Sequence, residues 1–252
     1  MSRSARIFEV VSWKHAIAEV TLIFVGISLA FVADAWNDRR QDREDEVELL
    51  LEIAASLRND LVDTESVLSY VEEKDAHLER LEDHIRNGLP YTNELATSFS
   101  YVRTWQTSRL HTAAFEALKY RGLDVVSERA LRISLIGFYD GTRVVVEDRD
   151  RIDRYEVQNY VEPYFQKNFV IESDSFDSVP IDYEAVIADQ SFLNLLALRT
   201  QVHHSLTAPA YRDLLARMEA LISQVEIHLS NQEKMTDSMS MMLSQRLLLA
   251  VS

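Results

Sequence analysis

The stretch from Ala16 to Trp36, AIAEVTLIFVGISLAFVADAW, limits what the rest of the chain can be. Val20 to Ala33 carries no charge. As a helix rising ~1.5 Å per residue, those positions reach about 21 Å, and the full stretch reaches about 31 Å. A bilayer's hydrocarbon core is ~30 Å thick, so residues 16–36 read as one membrane-spanning helix. Glu19 and Asp34 then fall near the two ends, where a carboxylate finds water. Trp13 and Trp36 bracket the segment as interface anchors, because an indole is apolar yet carries an N–H that needs a partner. Gly26, Ala30 and Ala33 share one face, with Glu19 two turns earlier on that same face. Small residues let a second helix approach closely, and a carboxylate at a membrane edge turns towards protein or water. These four residues are therefore the candidate helix–helix contact.

A cleaved signal peptide is the competing reading, with Arg3, Arg6 and Lys14 ahead of the apolar run and Ala33-Asp34-Ala35 as a cleavage site. Glu9, Glu19, the length of the charged region and the lack of any break before the next helix favour an uncleaved anchor. Three basic residues precede the segment and Arg39, Arg40 and Arg43 follow it, a tie on the positive-inside count. The short leading tail tips the expectation towards a bacterial inner-membrane protein with its C-terminal domain in the periplasm. A net charge of −15 repels phosphate and disfavours nucleic acid as a partner. No cysteine is present, which excludes disulfides and thiol chemistry. Only 5 glycines and 4 prolines interrupt the chain, which argues for long helices and an all-α fold.

No Pro or Gly occurs between Gly26 and Gly88. Leu50, Leu57, Thr64, Val71, Leu78 and Ile85 recur every seventh position, and Ala54, Leu61 and Leu68 add the position four later. This predicts a long amphipathic helix over 37–88 with coiled-coil character, whose stalk packing uses Leu50, Leu57, Leu61, Leu68, Val71, Leu78 and Ile85. Its acids, Asp60 and Glu72 among them, read as a solvated outer face. Asn87-Gly88 stops it.

A helical bundle is expected over 89–235, with caps at Thr92, Ser127 and Asp182. Gly137, Gly141 and Pro163 mark kinks, and Pro209 suits the first turn of a new helix. The run Glu147–Arg154 alternates charge like an exposed helix face, and 170–182 reads as a loop. Residues 236–252 read as a separate amphipathic helix starting at Asp237, and residues 1–15 as a tail or interfacial helix. No stretch reads as a strand.

The pattern of Glu19, Gly26-Ile27-Ser28-Leu29-Ala30-Phe31, Asp34 and Trp36-Asn37 resembles a family of uncharacterised bacterial membrane proteins. So do the Leu-rich start EVELLLEIAASLRNDL and the segment from Thr112-Ala113 to Leu118-Lys119 and Gly122, which has one residue more than the family spacing. The resemblance covers roughly residues 16–140 and implies a single-pass anchor with a helical extramembrane domain. It implies no activity, ligand or catalytic residue.

Catalytic signatures are absent from the sequence: no Gly-rich phosphate loop, no His-Glu-x-x-His, no Gly-x-Ser-x-Gly. His77 and His84, two turns apart, are the one metal-ligand candidate, against the commoner reading of two surface imidazoles. His203 and His204 are adjacent and diverge by ~100° on a helix. Trp105, Tyr139, Tyr155, Tyr160 and Tyr164 suggest the aromatic core of a bundle rather than a ligand pocket. No catalytic residue, metal or cofactor is assigned. The function expected is that of a membrane-anchored structural or interaction protein, either a homo-oligomer or an accessory subunit of a larger membrane complex, and not an enzyme. The alternative is a helical ligand-binding sensor domain that signals through a partner.

Overall fold

The computed structural model describes residues 13–171 and 175–251. The elements run α1 (Trp13–Arg86), α2 (Leu95–Val102), α3 (Ala113–Arg121), α4 (Arg129–Gly137), α5 (Arg143–Glu156), α6 (Glu162–Asn168), β1 (Phe169–Ile171), β2 (Ser178–Pro180), α7 (Tyr183–Ala188), α8 (Gln190–Val202) and α9 (Ala208–Val251). The fold is all-α, with a long apolar helix at its N-terminal end. Asn87-Gly88 ends α1 as expected: Gly88 takes φ +61°, and the Leu89 amide donates back to the His84 carbonyl at 3.2 Å.

Three wide turns keep the later helices unbroken. The amides of Arg143, Glu162 and Ala208 each donate to the carbonyl five residues earlier, on Phe138, Val157 and His203. Two of these turns, Val157–Val161 and His203–Thr207, end two residues before Pro163 and Pro209. A proline has no N–H to donate, and its ring clashes with the carbonyl four residues back, so the helix widens ahead of it instead of stopping. Pro209 sits in the first turn of α9, as expected, and the wide turn joins that helix to α8. The third turn, Phe138–Thr142, carries Gly141 at the site marked for a kink.

Other local expectations shift. Asp182 caps α7, accepting from the Ala185 amide at 3.0 Å. Asp189 caps α8 through the Ser191 amide at 2.8 Å. The N-caps of α2 and α4 are Glu94 and Glu128 rather than Thr92 and Ser127. Asp237 lies inside α9, so no separate helix starts there. The strands were not anticipated. β1 and β2 pair antiparallel, with Phe169 opposite Pro180 and Ile171 opposite Ser178. Three residues give too little alternation to read. Their pairing is supported from outside, by Phe169 stacked on Phe165 at 4.1 Å and by Ser100 Oγ donating to the buried Ser178 Oγ at 2.9 Å.

The chain divides into two compact units, Met1–Glu48 and Leu49–Ser252. In the first, every described side chain from Ile17 to Trp36 is exposed except the half-buried Ser28. The segment is long and apolar enough to cross a membrane, and none of its side chains is buried by the described residues. Within it the Thr21 hydroxyl donates to the Ile17 carbonyl at 2.8 Å, closing onto its own helix.

The second unit has two apolar cores. One gathers Leu50, Ile53, Leu57 and Val71 of α1 with Phe115, Leu131, Leu135, Tyr139, Val146, Tyr211, Leu214, Met218 and Val225. The other gathers Leu78 and Leu81 with Phe99, Val157, Phe165, Phe169, Phe192 and Leu196. The stripe expected to pack a stalk is thus buried inside this unit. Leu50, Leu57 and Val71 lie in the first core and Leu78 in the second; Leu61 and Leu68 pack on the first and Ile85 on the second. Residues 49–86 belong to the bundle, because the helices that follow cover the heptad face of α1.

Candidate functional site

A charged layer lies between the two cores. On α1 it is Lys74, between Val71 and Leu78; on α5 it is Asp153, between Val146 and Val157; on α8 and the wide turn after it, Arg199 and His203 follow Leu196. Each helix presents an apolar stripe that switches to charge for about one turn, then back. Lys74 is 0% exposed and Arg199 1% exposed.

Asp153 is the hub. Arg199 Nη1 donates to its Oδ1, His203 Nε2 lies 3.3 Å from the same oxygen, and Lys74 Nζ is 3.9 Å from Oδ2. Lys74 and Arg199 also share one backbone acceptor, the Thr104 carbonyl, at 2.6 and 3.1 Å. Arg199 reaches Glu156 at 3.7 Å. A carboxylate only accepts, so His203 must carry its proton on Nε2. That leaves His203 Nδ1 a bare lone pair without a partner among the described residues, and Arg199 Nε is likewise unmatched.

The electrostatics follow from this crowding. Burial alone would push the Asp153 carboxyl up; the His203 hydrogen bond and the Lys74 and Arg199 charges override it and hold it well below the usual carboxylate range. Burial first, and then the neighbouring Lys74 charge, push the His203 imidazole down to about 4. Burial and the Arg199 charge hold the Lys74 ammonium well below the usual amine range, against the pull of Asp153. The layer can keep Lys74, Arg199 and Asp153 in place only as a set, since losing one leaves an uncompensated buried charge.

A shallow groove opens nearby, lined by Glu79, Glu82, Asp83, Arg86, Gln201 and His204. His204 points away from its neighbour: it is exposed and lies 3.5 Å from Glu79 and 3.7 Å from Asp75. The divergence of the His pair is as the helical spacing requires.

The residues singled out from the sequence are scattered. Glu19, Gly26, Ala30 and Ala33 are exposed, and a Cβ built on Gly26 would meet nothing within 4 Å. Trp36 is 65% exposed; the side chain of Trp13 lies outside the described residues, as do residues 1–12 and the side chains after Met242. His77 and His84 do not converge. His77 stacks on Tyr101 at 4.3 Å and bonds Ser98 Oγ at 2.9 Å, while His84 Nε2 donates to the Pro90 carbonyl at 2.9 Å. No three His, Asp or Glu side chains among the described residues are placed to share a metal ion. The five aromatics are not one cluster: Tyr139 is buried against Phe115, Tyr164 is half-buried, and Trp105, Tyr155 and Tyr160 are exposed.

Lys74, Asp153 and Arg199 escaped the sequence reading. The run Glu147–Arg154 is not an exposed face throughout, because Asp150 and Asp153 are buried. Asp60 also leaves the expected solvated face and is 1% exposed. A signal was present: Val146, Asp150, Asp153 and Val157 keep 4-3-4 spacing, as do Val67, Val71, Lys74 and Leu78. A charge in register on an otherwise apolar stripe marks a buried charge awaiting a partner. The chain, compared with protein-family models, curated proteins and solved structures, matches none of them.

Proposed function

We propose that this is a membrane-anchored interaction protein. Residues 16–36 cross the bacterial inner membrane once, the helical unit after Glu48 lies in the periplasm, and the chain works as a homo-oligomer or as an accessory subunit of a larger membrane complex. We assign it no catalytic role. The observation that supports this is the contrast in cover along α1. The heptad stripe from Leu50 to Ile85 is taken up by the chain's own helices, whereas the face of Glu19, Gly26, Ala30 and Ala33 is exposed among the described residues. Association through the membrane segment is then the reading left, in place of a coiled-coil stalk.

The absence of cysteine makes the test clean. Ala30→Cys, on the small-residue face, is compared in oxidised native membranes with Val32→Cys, on the opposite side of the helix. A cross-linked dimer or a cross-link to a second subunit is expected for Ala30→Cys and not for Val32→Cys. Equal monomer in both defeats the reading. Alkaline phosphatase fused after the last helix tests the orientation, and activity is expected.

The charged layer favours a second reading, an extramembrane sensor that binds a small ligand and signals through a partner. His203 Nδ1 and Arg199 Nε are buried polar atoms without partners among the described residues, and the groove beside His204 brings polar groups together. Native mass spectrometry of the purified chain tests it; a stoichiometric small molecule, lost in Arg199→Met, is the expected result.

A further inference from the structure

Within the second unit, α1 and α9 run in opposite senses. Arg58 of α1 pairs with Glu226 of α9, and Glu72 pairs with Arg212, whose Nη2 lies 2.7 Å from Glu72 Oε1. Fourteen residues separate the two contacts on each helix. Carried on at that rate, Leu49, the first residue of the unit, comes level with Met235. α9 continues to Val251, so about 24 Å of it overhangs the level at which α1 enters the unit. Along α1, Trp36 precedes Leu49 by about 20 Å of helix. The overhang is thus as long as the stretch of α1 that parts the unit's first residue from the end of the apolar segment.

The composition of α9 changes in this overhang. Eight charged side chains fall between Arg212 and Asp237, and only Arg246 falls beyond. Leu247 to Val251 is an unbroken apolar run, which at ~100° per residue covers the whole circumference of a helix. A helix apolar all round belongs inside protein or inside a bilayer. Among the described residues nothing covers its near end: Met241 is 66% exposed and Met242 56% exposed. The lone charge is a cation in a chain of net charge −15, and a guanidinium matches the phosphate of a lipid headgroup.

We propose that the last turns of α9, from Met241 to Val251, enter the headgroup layer of the membrane and give the chain a second, shallow hold on the bilayer. This rests on the reading of residues 16–36 as the span. The stretch is too short to cross: its length as a helix is about 16 Å, against ~30 Å of hydrocarbon. It stops at the boundary, with the leucine run at acyl-chain depth and Arg246 at the level of the phosphates. Two points of attachment keep one side of the helical unit towards the lipid, which a single span does not do.

The full chain contains no cysteine, so single labels can be placed at will. Val25→Cys reports the span, Leu248→Cys the end of α9, and Ile227→Cys an exposed position of α9 inside the unit. Each is labelled with an environment-sensitive fluorophore and reconstituted in vesicles of phosphatidylcholine and phosphatidylglycerol. The vesicles carry a nitroxide either just below the headgroup or at the end of the acyl chain. The label at 248 is expected to lose more emission to the shallow nitroxide, the label at 25 more to the deep one, and the label at 227 to neither. Leu247→Glu with Leu249→Glu is expected to abolish the quenching at 248 and leave that at 25 unchanged. Quenching at 25 without any at 248 overturns this proposal and spares the anchor; no quenching at 25 overturns both. A blue-shifted but unquenched label at 248 means that protein, such as a second copy, covers the helix end, and overturns the lipid assignment. Stronger quenching at 248 by the deep nitroxide overturns the shallow placement.

Discussion

Asp150 and Asp153 sit one turn apart on α5, both 5% exposed, and their carboxyls move in opposite directions. Asp153 meets two cations and an imidazole and stays ionised; Asp150 meets a hydroxyl and an amide and holds its proton to about pH 7. Equal burial thus has opposite outcomes. Depth sets the size of the desolvation cost, and the charge across the gap decides whether the group yields to it. One site acts as a fixed pin between two cores, while the other is able to change state in the ordinary range of pH.

The contrast can be attacked from its strongest point downwards. Asp153→Ala leaves Lys74 and Arg199 without their shared anion and should cost about 3–5 kcal/mol in denaturant unfolding of the solubilised chain. A loss under about 1 kcal/mol there would mean that the layer is not a paired set. Asp150→Asn should stabilise. Between the unfolded value of 3.8 and about 7, the native chain keeps a proton that the unfolded chain has released, so the parent loses stability as pH rises through that window. The gain in the variant should be near zero at pH 4 and grow to about 4 kcal/mol above pH 7. A gain that does not vary with pH would contradict this origin.

His203→Gln probes the opposite leg. A native imidazole held near 4 stays neutral while the unfolded chain takes up a proton below 6.5, so the parent loses stability on acidification from 6.5 towards 4. Removing the imidazole should abolish about 3 kcal/mol of that acid loss, read from the difference between the two stability–pH profiles. At the small end lies Arg58→Ala, which breaks an ion pair with Glu226 whose members are both about half exposed. Less than about 1 kcal/mol should be lost, and less still in high salt. A large cost at that surface pair would undo the claim that burial sets the scale.

The helical fold was legible because its signals are local. The Leu50–Ile85 repeat, the Leu214–Met218–Leu221–Val225 stripe and the Asn87-Gly88 stop each lie within a few turns of chain. Pro163 and Pro209 were legible as helix landmarks, but the wide turns ahead of them, which carry the helix past each proline, were not. The role of the heptad stripe was misjudged. Periodicity shows which face of α1 is buried, and is silent on whether a second copy or the same chain covers it.

From its amino acids alone the chain was bound to make long helices, to carry one apolar stretch that no charge interrupts, and to repel anions. Hydropathy and period are properties of neighbours along the chain, and they survive without any knowledge of the fold. Which charges would be swallowed was settled only in three dimensions. Arg199 finds Asp153 at a separation of 46 residues and Thr104 at 95, and Lys74 finds Thr104 at 30. A buried charge is tolerable only when its counter-charge arrives with it, and that arrival is an event of packing.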